Sequence, residues 1–154
     1  MKHPRPIVSA AVVVAAMTVS ACSSGPDVSG TLSQRVHGWS QGVGLAASSA
    51  KIGTELDQVT KSASAGDLGT LQAVSVQLQD DATIAHAQLP SPDQSLTDQL
   101  NTAYQTAYQL ANHYLDKGVG SDRAATLAAV IRQADTAQQA LQGAGVRAAM
   151  FAHS

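Results

Sequence analysis

The apolar residues between positions 96 and 114 recur with alternating spacings of four and three, which places them on one face of a helix. They are Leu96, Leu100, Ala103, Ala107, Leu110 and Tyr114. Ser91, Pro92 and Gln94 have the spacing of a capping box with proline at the first helical position, and Gly118 follows the last turn. The pattern therefore predicts a long amphipathic helix that must pack against other helices.

The first part of the folded region has the same kind of periodicity but contains an interruption. Thr31 and Gln34 have capping-box spacing, and two apolar stripes follow that are offset from each other. Glycine is unfavourable inside a helix, and several glycines occur where the stripes meet. We therefore expect a break or a kink in this first helix near Gly42–Gly44.

Two more periodic segments complete the folded region. One begins at a predicted Asp67 cap and is stopped by Pro90, and the other runs from Ser121 to Gly143 and Gly145. Since the connections are short, successive helices should be antiparallel neighbours. The sequence predicts an all-α, up-down-up-down four-helix bundle over residues 31–145, followed by a tail over residues 146–154.

The amino-acid composition favours a helical fold, and the absence of common sequence motifs excludes several classes of function. The chain contains 28 alanines and 15 glutamines, and only 3% of its residues are aromatic. It lacks the common nucleotide-binding, acyl-transfer and zinc-binding sequence motifs. No nucleophile, base and orienting group can be assigned together, so we expect a protein that is not an enzyme.

The N-terminal segment has the features of a secretory signal. Lys2 and Arg5 precede an apolar stretch, residues 7–19, that is shorter than the roughly twenty residues of a membrane-spanning helix. We therefore exclude residues 1–21 from the fold.

Residues Val19, Ser20, Ala21 and Cys22 resemble the lipobox of bacterial lipoprotein precursors, although leucine is commonest at the position of Val19. The resemblance implies lipidation of Cys22 and a lipid anchor on the extracytoplasmic side of the cell membrane. The alternative is an ordinary signal peptide cleaved after Ala21, which would leave Cys22 as a free thiol. The alanine-rich remainder is also similar to small lipoproteins of high-GC actinobacteria.

The composition of residues 22–30 predicts a flexible tether, because serine, glycine and proline dominate this segment. Loss of the signal reduces the basic residues from 9 to 7 while the 11 acidic residues remain, which changes the formal net charge from −2 to −4. This charge gives no indication of nucleic-acid binding.

The histidines and methionines predict neither a metal site nor a cofactor. His86 and His113 should lie far apart along the bundle, and the glutamate-histidine pairs of ferritin-like bundles cannot form with Glu55 as the single glutamate. The sequence also lacks a haem-attachment motif.

Tyr104 and Tyr108 are four residues apart on the flank of the predicted third helix. They are the candidate contacts for a ligand or partner, although tyrosines in such positions more often complete the packing of a helix boundary. The leading hypothesis is thus a helical interaction module that binds another envelope protein. The alternative is a carrier or sensor of a small apolar ligand or lipid.

The C-terminal tail allows two interpretations. Val146, Met150 and Phe151 on one side, with Arg147 able to reach headgroups, would form a weak interfacial anchor beside the membrane. A frayed or core-capping C-terminus is the other interpretation.

Overall fold

The computed structural model describes residues 30–118 and 120–152, which form helices without any strand. The five helices are α1 (Leu32–Gly42), α2 (Leu45–Ala65), α3 (Leu68–His86), α4 (Gln94–Lys117) and α5 (Arg123–Ala152). The prediction of an all-α fold is confirmed, but the predicted number of four helices is wrong.

Helices α2 to α5 pack in a closed ring, in which each contacts the next and α5 contacts α2. Neighbours in the ring are antiparallel, because polar contacts join the start of one helix to the end of its neighbour. These contacts are Lys51 to Asp81, Tyr114 to the carbonyl oxygen of Leu68, Arg147 to Asp93, and Arg123 to the carbonyl oxygen of Gly66. The remaining helix, α1, packs mainly on α5.

The fifth helix arises at the predicted kink. Gly44 has a φ of 63°, a left-handed conformation that side-chain-bearing residues adopt at a cost, and it separates α1 from α2. The predicted capping box at Thr31 and Gln34 is present at the start of α1. The sequence therefore located the interruption, and the structure makes it a break between two helices.

Large side chains from α1 to α4 fill the core. The bulky residues with almost no exposure are Val36, Ile52, Leu56, Val59, Leu71, Leu78, Leu96, Leu100 and Leu110. Helix α5 contributes mainly alanines to the core, including Ala134, Ala137 and Ala144. Because alanine is small, α5 can approach its neighbours closely.

The start of α4 differs from the prediction. Its N-cap is Asp93, whose carboxylate Oδ1 accepts a hydrogen bond from Leu96 N at 2.8 Å. The hydroxyl of Ser91, the predicted cap, instead donates to Asp93 O at 2.7 Å and braces the preceding turn. A carboxylate is a suitable cap because it favours the positive end of the helix dipole.

The end of α5 also differs from the prediction. The helix continues through Gly143 and Gly145 to Ala152, so the described residues 146–152 of the predicted tail belong to the fold. Arg147 donates to Asp93 Oδ1 at 3.0 Å and Oδ2 at 2.8 Å, and its guanidinium lies 5.1 Å from the Phe151 ring centre. These contacts hold the last turns against the start of α4.

A glycine inside α1 and the glycine at the break should respond oppositely to alanine. Gly38→Ala in α1 meets no atom within 4 Å and should stabilise the fold by about 0.5 to 1 kcal/mol, because alanine is the better helix former. Gly44→Ala should destabilise it by about 1 to 2 kcal/mol because of the positive φ. Urea unfolding of both variants measures the difference, and an equal effect of the two would contradict the break.

The contribution of the ion pair between Asp93 and Arg147 to stability can be measured separately from that of the helix cap. Asn is as good an N-cap as Asp, so Asp93→Asn should cost about 2 to 3 kcal/mol through loss of the ion pair, whereas Asp93→Ala should cost about 1 kcal/mol more. Hydrogen bonding from Arg147 holds the pKa of Asp93 below its ordinary value. The stabilisation is therefore complete above the ordinary aspartate pKa and is lost as pH falls through the lower folded pKa.

Unfolding of wild type and Asp93→Asn at pH 7 and at pH 2 to 3 tests this assignment. The difference in stability should be largest at pH 7 and should shrink in acid. If the difference in stability between wild type and Asp93→Asn does not change with pH, the charge of Asp93 does not contribute to stability.

Candidate functional site

The two candidate tyrosines lie in one groove between α3 and α4. The groove has a volume of about 500 Å³, within the range of small-molecule and peptide-binding pockets. Its lining residues are Ala82, Thr83, His86, Tyr104, Gln105, Tyr108 and Gln109. We call this surface the tyrosine groove.

Tyr104 and Tyr108 contribute to the tyrosine groove in different ways. Tyr104 is buried, with 2% of its surface exposed, whereas Tyr108 is 41% exposed. Burial raises the pKa of the Tyr104 phenol, although hydrogen bonding with Ser49 and Ser48 opposes the shift. Tyr104 thus forms part of the floor and reaches towards α2, and Tyr108 is the tyrosine that a partner can contact.

The rim of the tyrosine groove is polar but carries no acidic or strongly basic side chain. Gln105 and Gln109 supply amide groups, and the His86 ring nitrogen Nε2 lies 2.8 Å from Asn101 Oδ1. Amides can both donate and accept hydrogen bonds, so the rim fits a peptide backbone or polar side chains. Association there should depend little on salt, because no ion pair is formed.

A second groove lies between α5 and the junction of α1 with α2. It has a volume of about 440 Å³, and small residues such as Ala47, Gly145 and Ala148 form most of its wall. Leu45 and Leu100 form its buried floor. We call it the alanine groove. Local sequence patterns do not predict it, because its residues come from four helices.

The single glutamate of the chain is buried between α2 and α3. Glu55 is only 5% exposed, and burial, together with hydrogen bonding and charge from Asp81, raises its pKa to about 7. Lys51 Nζ lies 2.7 Å from Asp81 Oδ2 and opposes the shift of Glu55. Near neutral pH, Glu55 can therefore be protonated and donate to the Asp81 carboxylate.

The burial of Glu55 was not predicted, although the sequence contains a signal for it. Glu55 follows Ile52 by three residues and precedes Leu56 and Val59, all of which lie on one buried stripe of α2. A charged residue on an apolar stripe must either find a partner or change its pKa.

The described residues contain no group of three or more histidine, cysteine, aspartate or glutamate side chains that could hold a metal ion. Within the same residues, none of the helices is both long enough and apolar enough to cross a membrane. The predicted lipidation site, Cys22, lies outside the described part of the chain, as do the signal segment and most of the tether.

Comparison with protein-family models, with curated proteins and with solved structures finds no match for this chain.

Glu55 should make the stability of the fold fall as pH rises. Its folded pKa of about 7 lies above the ordinary value of 4.5, so its stabilising contribution is complete below about pH 4.5 and is lost as pH rises through 7. Wild type should lose about 1 to 3 kcal/mol between pH 5 and pH 8 through this group. Glu55→Gln keeps the size of the side chain and should remove this dependence.

Chemical denaturation of both proteins at several pH values gives the comparison. Asp57→Asn on the same helix is the control, since Asp57 is exposed, and it should retain the slope of wild type. An unchanged slope in Glu55→Gln would contradict the assignment.

Proposed function

We propose that this chain is a lipid-anchored, non-enzymatic protein of the bacterial cell envelope, whose helical domain binds another envelope protein. The observation that carries the proposal is the lipobox-like sequence at residues 19–22, directly after a short apolar segment and before a tether and a folded domain. Lipid on Cys22 would hold the domain on the extracytoplasmic side of the membrane.

The tyrosine groove supports the interaction part of the proposal. It is open to solvent on the α3 and α4 side of the bundle, and Tyr108 presents an exposed aromatic ring beside the amides of Gln105 and Gln109. Aromatic side chains surrounded by polar groups are enriched in protein interfaces. Because the groove has no strong charge, we expect a partner segment with an apolar side chain and a polar backbone.

The alanine groove favours the alternative, a carrier or sensor of an apolar ligand or lipid. Its floor and most of its wall are aliphatic, and polar groups such as His37 and Gln41 are among its other lining residues. Apolar pockets with a few polar groups are typical of ligand sites. The two functions use opposite faces of the bundle, so one experiment can distinguish them.

The anchor and the interaction can be tested in the same cells. Cys22→Ala should block diacylglyceryl transfer and leave an unprocessed precursor or a protein shed from the membrane. A photo-crosslinking amino acid at position 108 should give a discrete product with one envelope protein, while the same amino acid at the exposed position 139 of α5 should not. The product should persist in high salt, since the groove lacks strong charges.

Several outcomes would reject the proposal. Normal processing with full membrane retention of Cys22→Ala would reject the anchor. Equal cross-linking at positions 108 and 139, or none at either, would reject the interaction at the tyrosine groove. Native mass spectrometry of the purified protein that shows bound lipid instead of a cross-linked partner would favour the carrier.

A further inference from the structure

The N-terminus of α1 and the C-terminus of α5 project together from one end of the bundle. Ser33 Oγ donates to Phe151 O at 2.6 Å, which fixes the two helix ends side by side. Arg147 is level with the α4 cap Asp93, and α5 continues for five more residues, a rise of about 7.5 Å. We call residues 31–36 and 146–152 the projecting end.

The projecting end exposes several large apolar side chains. Leu32 is 37% exposed, Val146 is 68% exposed and Met150 is 59% exposed. These are three of the six large hydrophobic residues that are exposed in the described part of the chain. Concentration of such residues at one end of a small domain marks an interaction surface.

The charge around the projecting end differs from that of the whole chain. The described residues 30–54 and 136–152 contain no carboxylate, although the chain as a whole is acidic. Asp93 is buried there and paired with Arg147, and the nearest exposed carboxylate along α4 is Asp98 in the second turn. Because Asp93 neutralises Arg147, Arg35 is the cation that gives this end a small positive charge, so it can approach anionic lipid headgroups without repulsion.

The tether leads from the projecting end to the proposed anchor. Cys22 precedes the α1 cap, Thr31, by nine residues, which span at most about 30 Å when fully extended. A tether of this length keeps the projecting end at a high local concentration beside the bilayer. Even a weak affinity of the projecting end for the membrane interface is then enough to bring it into contact with the bilayer.

We propose that the projecting end inserts its apolar side chains into the headgroup region of the membrane that carries the anchor. The inference rests on the proposed lipidation of Cys22. Leu32, Val146 and Met150 enter the interface, and Arg35 and Arg147 lie at headgroup level. Contact at this end orients the bundle end-on to the membrane, with the turn between α2 and α3 at the end away from the bilayer.

Two exposed alanines of α5 provide a matched test of the orientation. Ala149 lies in the projecting end and Ala128 lies 21 residues earlier, about 31 Å away along the same helix. Lipidated Cys22 has no free thiol and the chain has no other cysteine, so Ala149→Cys or Ala128→Cys gives a single labelling site. Each variant is labelled with a fluorophore sensitive to polarity and placed on vesicles of anionic phospholipid that contain brominated lipid.

The label at position 149 should shift to shorter wavelength and lose much of its emission to the brominated lipid, and the label at position 128 should show neither change. Replacement of Val146 and Met150 by Gln should greatly reduce the quenching at position 149. The matched control replaces Val76 and Ile84, two exposed apolar residues of α3, by Gln and should leave that quenching unchanged.

Mass spectrometry of the purified protein separates the two proposals. Lipidated protein with equal quenching at positions 128 and 149, or with quenching that survives the loss of Val146 and Met150, would overturn the membrane contact alone. A mass without a diacylglyceryl group on Cys22 would overturn the proposed anchor, and the membrane contact with it.

Discussion

The carboxylate of Asp93 stabilises three parts of the fold at once. It caps α4 through Leu96 N, accepts two hydrogen bonds from Arg147, and thereby fixes the last turns of α5. The ring of Phe151 packs near Arg147, and the carbonyl oxygen of Phe151 accepts a hydrogen bond from Ser33 Oγ in α1. The position of α1 therefore depends indirectly on the same carboxylate. One buried charge thus connects the start of α4, the end of α5 and the first helix. Its side chain is 8% exposed, which strengthens each of these hydrogen bonds.

The sequence predicted the helical class and the starts of α1 and α3 because these depend on local patterns. The Thr31 capping box, the Asp67 cap and the interruption at Gly44 each follow from a few neighbouring residues. The errors at Ser91 and at Gly143 have a common cause. Both concern places where Arg147 meets Asp93, two residues 54 positions apart, and local spacing contains no information about such a contact.

The candidate site was predictable only in part for the same reason. The spacing of Tyr104 and Tyr108 placed both on one flank of a helix, and both do line one groove. Their unequal burial depends on α2 and α3, which the spacing cannot reveal. The alanine groove required the assembled bundle, because α5 packs closely through small side chains and leaves a channel where α1 departs from α2. High alanine content therefore produces both the tight core and the open surface.

The position of Trp39 gives the protein a natural optical probe. It is the only tryptophan of the chain, it belongs to α1, and its indole Nε1 donates to Gln88 O, in the segment after α3, at 3.3 Å. Tryptophan fluorescence consequently reports whether α1 is docked, whereas far-ultraviolet circular dichroism reports the helices as a whole. If α1 separates before the ring of α2 to α5 melts, the two signals will change at different denaturant concentrations. The first helix can then be followed as a separate folding unit without any label.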